Sequence, residues 1–297
     1  MSDDAPRERS RFIEQHAVAI YFAVTFLLSW GGIVIMLGPG GLPATNEQME
    51  KTGALAYLAM LVGPSVAGVL LTGLVSGRAG LRDLLARSLR WRVGARWYAA
   101  ALLLIPSLAA AVPLALSRFS ADFLPVIVTT EDKGGILLSG TIAGLMVGIF
   151  EEVGWTGFVV PRLRRRYSIL STGLMLGLVW GAWHFLLFWE PGSFFEALAF
   201  AVLLGRLFSW LPAARLLLVW VYSRTESVLA AMLMHAGLVA TGVFIFQARV
   251  TGAAVLTFTL VWAAVMWAVV AVVALAGGFR DPPPGTAQPA SKLRPAA

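Results

Sequence analysis

Residues 136–166 read ILLSGTIAGLMVGIFEEVGWTGFVVPRLRRR. The 25 residues from Ile136 to Val160 carry charge only at Glu151 and Glu152, and Arg162, Arg164, Arg165 and Arg166 follow at once. About 20 apolar residues, at 1.5 Å each, cross the roughly 30 Å hydrocarbon core of a bilayer. A basic cluster directly behind such a run holds that end of the span in the cytoplasm. The stretch therefore predicts a transmembrane helix with two carboxylates inside it.

Runs of the same kind recur on both sides. The clearest are Ala17–Leu37, Ala54–Val75, Trp97–Ser117, Ile169–Trp189 and Ala253–Ala276. Phe195–Tyr222 is long and contains Arg206, Pro212 and Arg215, which predicts a kinked, tilted or broken span, and Ser227–Phe246 is apolar apart from His235. This is an all-α polytopic membrane protein with about eight spans. Composition agrees: 58% of the 297 residues are apolar and only 13% are charged, against roughly a quarter charged in soluble domains. Mean hydropathy is +0.78. With no cysteine, disulfides, thiolate metal sites and a cysteine nucleophile are excluded.

Charge placement fixes the expected orientation. With the N-terminus inside, 17 of the 23 lysines and arginines fall in inward segments, among them Arg78, Arg82, Arg87, Arg90, Arg92 and Arg96 between the second and third spans. Four fall in outward loops and two, Arg206 and Arg215, within the sixth span. Such an asymmetry predicts that both termini are cytoplasmic. It also accounts for the net charge of +7 as a topology signal with anionic-lipid contacts, not a nucleic-acid interface. Leucines at helical spacing between arginines in Leu81–Arg92 predict an amphipathic helix on the inner surface. Residues 1–16 mix acids with bases and precede a long apolar run, unlike a cleaved signal peptide. Residues 17–276 read as one membrane domain, and the Pro- and Ala-rich tail 277–297 as disordered. Arginine outnumbers lysine 20 to 3, which points to a GC-rich bacterial source and hence the inner membrane.

Ionisable groups inside lipid are costly, and each is a functional hypothesis. Glu151, Glu152, His184, Arg206 and His235 are the ones singled out, and two of the three histidines in the chain are among them. Counted from the cytoplasmic ends of their spans, Glu151 lies about ten residues deep, His184 about fifteen and His235 about eight. Three helices thus bring a carboxylate and two imidazoles into one central slab. Adjacent glutamates point about 100° apart on a helix, so only one aims at the histidines and the other needs its own partner. Two carboxylates this close favour one shared proton, the condition of a general base for water. On the pair alone, an ion or proton relay stands equal to a hydrolase base. Trp180 and Trp183, beside His184, are more often packing than chemistry.

In order, the segments FEEVGWTGFVVPRL (150–163), WGAWHF (180–185) and SRTESVLAAMLMHAGLVAT (223–241) resemble the CPBP family of intramembrane endopeptidases. That family includes type II CAAX prenyl proteases and bacteriocin-processing or immunity proteins. Its pattern is Glu-Glu-x-x-x-Arg, Phe-x-x-x-His and His-x-x-x-Asn on an eight-helix core, and the resemblance covers about residues 136–246. It implies that Glu151 activates water beside Glu152, with His184 and His235 completing the site. It also implies a membrane-embedded or lipid-anchored protein or peptide as substrate. Either no cofactor is needed, or Glu151, His184 and His235 hold a metal, a set with an open position that would suit zinc.

Three positions depart from the pattern. Thr156 stands at the arginine, which leaves Glu152 without a cation, and Arg206 is proposed as the replacement. Trp180 stands at the phenylalanine. Val239 stands at the asparagine and cannot donate a hydrogen bond. Competing expectations are therefore an endopeptidase and a catalytically impaired relative acting as a membrane scaffold or immunity factor. A proton-coupled transporter is third, disfavoured because no inverted repeat is visible.

Overall fold

The computed structural model describes residues 12–38 and 40–280. The expected cytoplasmic segment before Phe12, and the tail from residue 281, lie outside the described residues. Eight principal helical segments follow in order: α1 (Ala17–Leu37), α2 (Asn46–Ser88), α3 (Ala95–Leu116), α4 (Lys133–Leu163), α5 (Ile169–Trp183), α6 (Ala197–Thr225), α7 (Val228–Ile245) and α8 (Ala253–Leu275). Seven are long and apolar enough to cross a membrane, while α5, with 15 residues, is shorter. At 1.5 Å per residue α5 is only about 22 Å long. The expected fifth span ran on to Trp189, but the helix ends where His184 turns to φ −76°, ψ −3°.

Short polar side chains start these helices by occupying backbone N–H groups that have no carbonyl partner. Thr45 and Gln48 form a capping box on α2. Asp132 accepts from Gly135 N at 2.8 Å to open α4, Ser168 from Ser171 N at 3.1 Å to open α5, and Ser227 from Ala230 N at 3.0 Å to open α7. The expected kink in α6 is present: the helix breaks at Ser209–Trp210 and restarts at Leu211, with Pro212 in its first turn, where the missing N–H of proline costs nothing.

The amphipathic helix expected at 81–92 is found over 81–88 as the last part of α2, set off by a bend at Gly77 (φ 58°, ψ −155°), and ends at Ser88, short of the expected Arg92. It packs on protein as well as facing outward. Leu84 is buried, and Arg87 donates to the Tyr222 hydroxyl at 2.8 Å and to the Gly157 carbonyl at 3.0 Å. Arg90 pairs with Glu226 at 3.0 Å. Arg224 donates to the carbonyls of Gly278 and Arg280, each at 2.8 Å, so residues 277–280 are held against the bundle, not loose as expected. These contacts gather the arginine-rich ends of α2, α4, α6 and α8 at one end of the bundle. At the other end the loops meet through Val126 N donating to Gln247 O at 2.9 Å.

Two glycine rows set the spacing of the central helices. Gly140, Gly144 and Gly148 of α4 face Phe244, Ala236 and Met232 of α7, and Gly173, Gly177 and Gly181 of α5 face Leu216, Pro212 and Leu207 of α6. Small residues every fourth position let helix backbones touch, which is how membrane helices associate without a hydrophobic driving force. A Cβ on Gly144 would lie 2.4 Å from the carbonyl oxygen of Ala236, and one on Gly177 2.6 Å from Cα of Pro212. Backbone cannot step aside as a side chain does. Gly144→Ala is therefore expected to cost about 1–3 kcal/mol and to lower the thermal unfolding midpoint in detergent, and an unchanged midpoint would contradict this close packing.

Candidate active site

Glu151 and Glu152 occupy the last α-helical turns of α4, directly before a widened π-helical stretch, Trp155–Val159. His235 stands on α7 just before a second π stretch, Leu238–Ile245, and His184 ends α5. Such widened turns inside α-helices are frequent at functional sites. Glu151 and His235 are each 1% exposed, Glu152 is fully buried and His184 is 9% exposed.

The two carboxylates are treated unequally. Glu152 accepts at Oε1 and Oε2 from Nη1 of Arg215, both at 2.9 Å, and at Oε1 from Nδ1 of His235 at 2.8 Å. The Thr156 hydroxyl also donates to its Oε2. Glu151 receives one protein hydrogen bond, from Nε1 of Trp180 to Oε2 at 2.8 Å. Glu152 is thus held by a buried cation and two further donors, and Glu151 retains unused acceptor capacity.

Each histidine has its tautomer set by a partner. Nδ1 of His184 lies 2.8 Å from the Trp180 carbonyl oxygen. That oxygen, like the Glu152 carboxylate facing His235, is an acceptor, so both Nδ1 atoms donate, and in a neutral imidazole the Nε2 opposite is then an acceptor. Among the described residues no protein group bonds either Nε2. Trp180 is the hub: the Arg215 guanidinium lies 4.2 Å from its ring centroid, and the rings of His184 and His235 meet it edge-on at 5.0 and 5.3 Å. Trp183 meets His184 edge-on at 4.8 Å, and its buried Nε1 has no hydrogen-bond partner among the described residues.

The structure therefore brings together Glu151, Glu152, Thr156, Trp180, Trp183, His184 and His235, and corrects one expectation. Arg206 is not the partner of Glu152. It pairs with the exposed Glu190 at 2.5 Å and lines a mostly apolar cavity of about 300 Å³ with Phe188, Trp210, Leu238 and Trp262. The buried cation is Arg215, which the sequence reading noted in the sixth span but did not connect to the glutamates. Its signal was depth. Ten residues from the end of α6 put it about 15 Å in, level with the glutamates and His235, whereas Arg206 lies nine residues deeper. Val239 is buried one turn beyond His235 and offers no polar atom. Among the described residues no group of three His, Cys, Asp or Glu side chains is arranged to hold a metal ion.

All these side chains except the cavity wall beyond Val239 fall in one block of sequence. Residues 133–241 match the family described as "Type II CAAX prenyl endopeptidase Rce1-like". Over that stretch the chain resembles this family. Over 120 residues the chain is also 29% identical to CAAX prenyl protease 2 of Methanococcus maripaludis, an alignment covering 39% of each protein. The chain thus spans about two fifths of the length of that curated relative. The matched stretch begins at α4 and ends inside the second π stretch. It contains Glu151, Glu152, Thr156, Trp180, His184, Arg215, His235 and Val239.

Proposed function

We propose that this protein is an intramembrane endopeptidase that hydrolyses a peptide bond in a membrane-embedded or lipid-anchored protein, with Glu151 as the base. The carrying observation is the division of labour between the glutamates. Glu152 is held by Arg215, His235 and Thr156, while Glu151, with a single donor from Trp180, is left to take a proton. Water bound to Glu151 would donate its second hydrogen toward an imidazole Nε2. As its oxygen attacks the scissile carbonyl carbon, Glu151 removes one proton. The tetrahedral intermediate then collapses with the C–N bond breaking, and the proton on Glu151 passes to the departing amine. Water is consumed, and one carboxylic acid and one amine are released.

Likeness to a CAAX prenyl protease supports a substrate held at the membrane by a lipid or an apolar segment. In a bacterium that does not prenylate proteins, another membrane-bound protein takes that place. The arginine-rich end faces the cytoplasm in this reading, with both termini there, in contact with anionic lipid headgroups. Reconstituted in liposomes with the membrane proteins of its host, the protein is expected to generate new protein termini. Because no three metal-ligating side chains converge among the described residues, their appearance is expected to survive treatment with EDTA or 1,10-phenanthroline; loss on chelation and recovery with zinc would overturn this metal-free route.

Val239 favours a second reading, a scaffold or immunity factor with little catalysis. That reading requires Glu151→Gln to leave the host phenotype intact while changes that break helix packing, such as Gly177→Leu, abolish it.

A further inference from the structure

The buried guanidinium of Arg215 does more than neutralise one carboxylate. Nη1 reaches both oxygens of Glu152 at 2.9 Å, and the guanidinium carbon stands 4.2 Å from the centroid of the Trp180 ring. The indole N–H of that ring is the donor to Glu151 at 2.8 Å. Among the described residues Nε and Nη2 of Arg215 have no hydrogen-bond partner. The cation is therefore fixed by two things only, the Glu152 carboxylate on one side and the indole face on the other. A cation over an indole is attracted by the ring's negative face, and more strongly where water is absent. Arg215 itself is fully buried.

Helix packing supports this arrangement. Gly173 and Gly177 of α5 lie against Leu216 and Pro212 of α6, so the turn that carries Arg215 is pressed onto the helix that carries Trp180. Thr156, one turn after Glu152 on α4, is also fully buried and donates to the same carboxylate that Arg215 holds. Position 156 and position 215 thus reach one carboxylate from two different helices.

We propose that Arg215 is a positioning residue for the reaction assigned above: through Glu152 it orients His235, and through the Trp180 ring it aims the indole N–H that holds Glu151. The cation that serves Glu152 is thus supplied from α6, while Thr156 reaches the same carboxylate from α4. The consequence is that the two positions are exchangeable. This proposal rests on the endopeptidase reading only for its kinetic consequence; its structural half stands alone.

The test uses three full-length variants in detergent or liposomes: Arg215→Thr, Arg215→Lys and the exchange Thr156→Arg/Arg215→Thr, which conserves composition. With ¹⁵N-labelled tryptophan, the Trp180 indole N–H resonance is assigned by its loss in Trp180→Phe. Arg215→Thr is expected to shift that resonance and to lower kcat by about 100-fold with KM unchanged. Arg215→Lys keeps a cation but not a flat one, and should stay folded with the resonance shifted and kcat down by about tenfold. The exchange should recover at least a tenth of wild-type kcat. Should Arg215→Thr fail to fold, Arg215→Lys and the exchange carry the test. A Trp180 resonance identical to wild type in folded Arg215→Lys would overturn the proposal, as would, where wild type cleaves, an exchange variant no more active than Arg215→Thr. If wild type cleaves nothing, a resonance that moves in Arg215→Lys and returns in the exchange sustains the positioning role and sinks the endopeptidase reading alone.

Discussion

Glu151→Gln is expected to abolish cleavage, by about 10²–10⁴-fold as for loss of a general base, with the thermal unfolding midpoint unchanged. Its neighbour is expected to behave in the opposite way. Glu151 accepts one hydrogen bond, from the Trp180 indole, and a glutamine oxygen accepts that bond equally well, so the fold has no reason to notice. Glu152 faces the fully buried Arg215 and His235. Glu152→Gln leaves the guanidinium without its counter-charge, and removing one member of a buried ion pair costs about 3–5 kcal/mol. Its unfolding midpoint should therefore fall by many degrees. Kinetics and thermal unfolding of the two variants, side by side, check this. Equal destabilisation by both would mean that the glutamates share one structural role, and Glu151 would lose its assignment as base.

Val239→Asn is expected to raise kcat. Both histidines donate through Nδ1, to Glu152 and to the Trp180 carbonyl, so their Nε2 atoms accept and, while neutral, offer no N–H to the negative oxygen of a tetrahedral intermediate. Val239, buried one turn beyond His235, offers none either. A single well-placed oxyanion donor is worth about 10²–10³ in rate. An asparagine amide at 239 supplies one within nearly the same volume, at a stability cost of about 1–3 kcal/mol for burying it without a partner in the resting enzyme. Turnover per folded molecule is the quantity to measure. A rate no higher than wild type would show that another donor already fills the role, and the unpartnered indole N–H of Trp183 is the group beside His184 that could.

Much of this was legible in the chain before any coordinates. Lipid makes charge expensive, so Glu151, Glu152, His184 and His235 stood out against 58% apolar residues, and counting residues from the arginine-rich ends placed them at one depth. The same count applied to α6 would have chosen Arg215 over Arg206. Arg206 stands near the middle of the apolar run, but α6 breaks at Ser209–Trp210 and Arg206 turns toward the exposed Glu190. The role of Trp180 was not legible. Whether an indole packs or donates depends on where its N–H points, which α5 and α6 decide together. The glycine rows at 140, 144, 148 and at 173, 177, 181 were in plain view as small residues every fourth position, yet which helix each row meets is a property of the bundle. The end of α5 at Trp183 was hidden because the apolar run continues through Phe185–Trp189, and composition alone does not register a turn at His184.

The central claim is that Glu151 makes this bundle a protease. It is tested most directly by comparing new protein termini, by terminal-peptide mass spectrometry, in host membranes holding equal amounts of wild type or Glu151→Gln. The account predicts a small set of termini present with wild type and missing with Glu151→Gln, all in membrane-bound proteins. Identical termini from the two, in cells that contain the native partners, would contradict it and leave the buried Glu–His–Arg cluster as a structural device.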